Sequence, residues 1–101
     1  MTYKRRMKRY FFHTSDGTIE RDLIGTELAS DNEARSTAVK FAAKRLVERP
    51  EMMWESSDFR VDVTDVKGET LFTMICVAID GPAYWNKRMQ HSVAINDEQL
   101  L

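Results

Sequence analysis

The chain has 101 residues, of which 43% are hydrophobic and 31% charged, a globular balance rather than the composition of a disordered chain, with room for one small domain. Net charge is only −1, but Lys4, Arg5, Arg6, Lys8 and Arg9 all precede the first acid, Asp16, so a basic arm leads into an acidic body. The single cysteine, Cys76, rules out an intramolecular disulfide and a cysteine-built metal site, and no run is long and apolar enough for a signal-peptide core or a membrane span, so a reducing, cytoplasmic location is expected.

Residues 8 to 15 read as a strand with Tyr10 and Phe12 on one face and Phe11 and His13 on the other. Asp16-Gly17 predicts a two-residue hairpin turn, because both positions tolerate positive φ, and residues 18 to 23 read as the returning strand, broken at Gly25. "SDNE" at 30 to 33 is a capping box: the Ser30 hydroxyl accepts from the Glu33 amide, and the Glu33 carboxylate reaches back to the amide of Ser30. A helix follows from Asp31 to about Glu48, with Ala34, Ala38, Phe41 and Ala42 on one stripe and Val39, Ala43, Leu46 and Val47 widening it. Pro50 ends it by pushing Arg49 out of helical φ/ψ, and the many alanines imply a helix lying close against a sheet.

"DFRVDVTD", 58 to 65, alternates, with Phe59, Val61 and Val63 inward and Arg60, Asp62 and Thr64 outward. Asp65, Lys67 and Gly68 form a turn, with Gly68 as the positive-φ residue. The strand from Thr70 to Ile79 does not alternate: Leu71, Ile75, Val77 and Ile79 share one face, and Phe72, Met74, Cys76 and Ala78 share the other. The expected fold is therefore α+β: a single small ββαββ domain over residues 8–80, a four-stranded antiparallel sheet with one long helix on one face, preceded by a basic arm at 1–7 and followed by a C-terminal tail at 81–101.

One helix covers only one face of such a sheet, so an apolar second face calls for a cover. The candidate covers are the tail after Gly81-Pro82, which offers Ala83, Tyr84, Trp85 and Met89, the same face of a second copy, or a different protein; the tail is expected to fold back across the face opposite the helix, or across that face of a second subunit, with Trp85 near the first and last strands. From about Gln90 to Leu100 and Leu101 the sequence predicts a mobile end.

"RYFF" at 9 to 12, Asp16-Gly17, "DLIGTEL" at 22 to 28, "EAR" at 33 to 35, and Val63, Asp65, Gly68 and Leu71 together resemble a family of small proteobacterial proteins classed only as a domain of unknown function. The resemblance spans roughly residues 8 to 80. It implies a ββαββ domain in a bacterial cytosol, and it brings no catalytic residues. A looser likeness, to HicB-type antitoxins, rests on the acid-Leu-x-Gly turn at Asp22 to Gly25 before Glu33-Ala34; the strand count before the helix is one short and the turn prolines of that family are absent.

Few residues offer chemistry. His13, Ser15 and Asp16 have the side-chain types of a triad, but a strand and its turn do not align them as a relay. Cys76 lies in an apolar run that suits a packed thiol rather than a nucleophile. Glu20 and Asp22, two apart on one strand, are paired carboxylates with no third ligand nearby. No catalytic, metal or cofactor site is expected, nor a small-molecule substrate. The expectation is a non-enzymatic, protein-binding or regulatory module that self-associates as a homodimer through a sheet face, with Phe72, Met74, Tyr84 and Trp85 as partner-binding candidates. The alternative is a nucleic-acid-associated, antitoxin-like regulator that uses Lys4, Arg5, Arg6, Lys8 and Arg9 to meet phosphates.

Overall fold

β1 (Lys8–Ser15) is the axis of the sheet. In the computed structural model, which describes residues 6–55 and 58–86, it is followed by β2 (Ile19–Glu20), β3 (Thr26–Leu28), α1 (Asp31–Glu48), α2 (Met52–Glu55), β4 (Phe59–Thr64) and β5 (Thr70–Cys76). β1 pairs with β4 along one edge and with β2 and then β3 along the other, so the order is β2-β1-β4-β5 with β3 beside β2 on the same flank. Every pairing is antiparallel. Residues 82 to 86 are helical. The expected behaviour of Met89 and of the chain from Gln90 onward lies outside the described residues.

The α+β architecture agrees with the expectation, except that five strands stand where four were predicted. The returning strand expected from 18 to 23 is reduced to the two residues of β2, and the extra strand, β3, lies beyond Gly25, where none was expected. The turn differs too: three residues link β1 to β2, only Gly17 has positive φ (106°), and the Asp16 carboxylate accepts from the Thr18 amide at 3.3 Å. The turn before β5 is as predicted, with Gly68 at φ 82° and the Asp65 carboxylate accepting from the amides of Lys67 and Glu69 at 2.9 Å each.

α1 begins and ends where the cap and the proline place it. Ser30 Oγ accepts from the Glu33 amide at 3.2 Å, while Glu33 Oε2 takes the amide of Ala29 at 2.6 Å, closing the box one residue farther back than predicted. Arg49, ahead of Pro50, leaves the helical region at φ −137°, ψ 71°. Only Ala34, Ala38 and Ala42 of the expected stripe are buried. Three methyl-sized side chains at i, i+4 and i+8 let the helix approach the sheet closely but make its footprint narrow.

The core forms where that footprint meets Tyr10 and Phe12 of β1 and Phe59, Val61 and Val63 of β4, closed at one end by Met52 of α2. Phe41 stacks on Phe12 with ring centroids 5.1 Å apart. Tyr10 ties sheet to helix by donating its hydroxyl to Asp31 Oδ1 at 2.6 Å; burial and the carboxylates of Asp31 and Glu33 push the phenol up to about 12. No helix among the described residues is long and apolar enough to cross a membrane.

Candidate functional site

Register decides which side of β5 is open. Val61 pairs with Met74 and Val63 with Phe72, so Phe72 and Met74 stand beside the buried valines of β4, on the face that carries α1. The expectation that Phe72 and Met74 form an uncovered face is thereby corrected: both are half-buried against the core, as is Cys76. The residues left open are Leu71 and Ile75, 42% and 53% exposed, together with Val77 just past the strand at 54%.

The cover on the helix side is incomplete as well. The residues that α1 buries are all alanines, its main sheet contact is with β4, and a groove of about 260 Å³ remains beside β5, lined by Arg35, Ala38, Val39, Phe72, Thr73 and Met74. The Arg35 guanidinium lies across it, 5.4 Å from the Phe72 ring centroid, in a cation–π contact. β5 is also the last strand of the described sheet, with β4 on one side and no described strand on the other. From Thr70 to Ile79 no residue is charged and none is proline.

At the opposite flank a single carboxylate replaces several ladder bonds. Asp22 Oδ2 accepts from the Phe12 amide at 3.1 Å, and Oδ1 accepts from the amides of Ile24 and Gly25 at 3.0 and 2.9 Å. Partial burial pushes the Asp22 carboxyl upward, but the N–H groups of Gly25, Phe12 and Ile24, with His13 nearby, outweigh it and hold the group below the usual carboxylate value. Gly25 has φ 80°, and a Cβ there would stand 2.8 Å from Arg9 Cγ and 2.9 Å from Phe11 Cε1, so only glycine fits this turn. The loop presents Leu23 and Ile24 to solvent, 85% and 81% exposed, a pair that the sequence reading passed over. "DLIG" was the signal available.

The polar candidates are occupied by structural work. The Asp22 amide donates to His13 Nδ1 at 3.1 Å, which leaves the ring proton on Nε2, 2.9 Å from Thr64 Oγ1. Asp16 caps its turn, so the side-chain types of a triad are not brought together. Glu20 pairs with Arg45 of α1 instead of with Asp22. Among the described residues no three or more of His, Cys, Asp and Glu stand close enough to hold a metal ion.

Of the basic arm, Lys4 and Arg5 lie outside the described residues, and Arg6 and Lys8 are exposed. Arg9 is committed to the fold, donating to the Ile24 carbonyl at 2.8 Å and to Glu27 at 3.1 Å. In the tail, Tyr84 lines a cleft with Trp54, Ile79, Asp80 and Gly81, and Trp85 is 56% exposed. The expected packing of Trp85 across this chain's own open face is corrected, since the described part of the tail leaves Leu71 and Ile75 uncovered.

The model of one family, a domain of unknown function (DUF6894), matches residues 9–78. The chain belongs to the DUF6894 family. No curated protein and no solved structure matches it. The DUF6894 segment runs from β1 to just beyond β5 and includes the Asp22 loop, the groove and the open face, whereas Lys8 and the residues before it, and the helical stretch at 82 to 86, fall outside.

Proposed function

We propose that the chain is a non-enzymatic protein-binding module that self-associates through the β5 side of its sheet and acts in a reducing, cytosolic setting. One observation carries this reading: β5 is apolar on both faces, the composition of a strand covered on both sides, yet it lies at the edge with Leu71 and Ile75 in solvent. The occupation of Asp22, His13 and Glu20 by backbone, hydroxyl and ion-pair partners supports a binding role over a catalytic one. The nucleic-acid alternative draws less support, because Arg9 is engaged within the domain and Arg6 and Lys8 are the basic side chains of the arm that stand exposed among the described residues.

Sedimentation velocity of the full chain across the micromolar range is the test. The reading predicts a reversible shift from monomer to dimer mass with rising concentration, weakened by Ile75→Asp at a site exposed enough to leave the fold intact. A single-chain mass at every concentration, up to about 1 mM, would overturn self-association.

A further inference from the structure

We infer that the second copy adds to the free edge of β5, antiparallel and with a two-fold axis through Thr73, so that two sheets join into one. The inference rests on the protein-binding reading above and specifies its partner and its geometry.

Edge strands in soluble proteins are usually blunted by charge, proline or a bulge that turns them away, and β5 has neither charge nor proline across Thr70 to Ile79. Its ladder has one irregularity: the consecutive residues Val63 and Thr64 pair with Phe72 and Thr70, so Leu71 is an extra residue near the start of β5, and from Phe72 to Cys76 the strand pairs regularly. An edge without charge or proline, regular from Phe72 to Cys76, accepts a strand, and the sequence of β5 is complementary to itself. A two-fold axis normal to the sheet keeps each residue on its own face and runs the two strands antiparallel. Thr73 is the midpoint of the seven-residue strand, so an axis there gives full overlap. In that register Leu71 stands opposite Ile75 of the second copy on the open face, Phe72 stands opposite Met74 of the second copy on the helix face, and Thr73 meets Thr73. Each is a favourable cross-strand pair.

Charge agrees with the same register. The Lys67 end of one copy comes beside the Asp80 end of the other, while Glu69 falls opposite Val77, so no like charges meet. The helices do not obstruct it: with strands about 4.8 Å apart, the two β4 strands stand about 14 Å from each other, more than the 8–10 Å of packed helices. The groove beside β5, with Arg35 over Phe72, becomes the floor between the two α1 helices. One contact thus covers both half-open faces of β5. A seven-residue edge pairing is a small interface, which places dissociation in the micromolar range.

Thr73 carries the test because the axis sets it against itself. Thr73→Lys should abolish the dimer in sedimentation, because two lysines would stand opposite, while thermal melts stay within a few degrees of the unaltered chain since the side chain is exposed and lies beside Asp62. Mixing Thr73→Lys with Thr73→Glu chains should restore dimer mass. Independently of those variants, Thr73→Cys in a Cys76→Ser background should cross-link on mild oxidation, since opposed Cα atoms at about 4.5–5.5 Å lie within disulfide reach. A dimer that persists undiminished in Thr73→Lys, or one in which Thr73→Cys does not cross-link, overturns edge pairing and leaves self-association standing. An unaltered chain that never dimerises overturns both.

Discussion

Asp22 does with one carboxylate what two or three ladder residues do elsewhere. Its oxygens accept the amides of Phe12, Ile24 and Gly25, so the flank of β1 left bare between β2 and β3 has a partner, and its own amide orients His13. Asp22→Asn keeps the shape but turns an NH₂ toward the Phe12 amide, setting donor against donor. We expect a loss of about 1–3 kcal/mol in urea denaturation. The pH dependence follows from the sign of the shift: the folded carboxyl sits below its ordinary value of 3.8, so its contribution is complete above that pH and is lost as pH falls from there through the folded value. In Asp22→Asn that acid-side decline should flatten. An unchanged stability and an unchanged acid profile would mean that the loop is held by Arg9 and Gly25 instead.

α1 sets what the sheet leaves open, through the small size of its buried residues. Ala38→Leu at the centre of the stripe should cost about 1–3 kcal/mol by lifting the helix, whereas Val39→Leu, one residue along and facing the groove, should stay within about 0.5 kcal/mol. Thermal melts of the two variants compare them directly, and equal losses would mean that the helix contact is broader than three alanines. The helix was legible in the sequence because its signals are local: Ser30 to Glu33 start it and Pro50 stops it. The early end of the second strand at Glu20 was not, because Asp22 in a sequence looks like an acid on the wet face of a strand, and only its pairing with the amide of Phe12, ten residues earlier, reveals a loop. The two-sided character of β5 could be read directly from the failure of polar–apolar alternation across residues 70 to 79. Which side would receive the helix could not, since both faces are apolar and the choice depends on the register of Phe72 and Met74 against β4.

At the scale of the whole molecule, the domain is asymmetric. The β1–β4 centre holds the fully buried aromatic and β-branched side chains, one flank is closed by the Asp22 loop and β3, and the other flank ends in β5, uncharged and half-covered. An edge of this composition is stable in water when something pairs with it. Amide hydrogen exchange along β5, measured on the full chain at low and high protein concentration, tests that claim most directly. The amides of Thr70–Cys76 that do not bond to β4 should exchange freely in dilute solution and become protected as concentration rises through the micromolar range, while the amides of β1 and β4 change little. Exchange of those outer β5 amides at the rate of open chain, unaltered at every concentration, would contradict it.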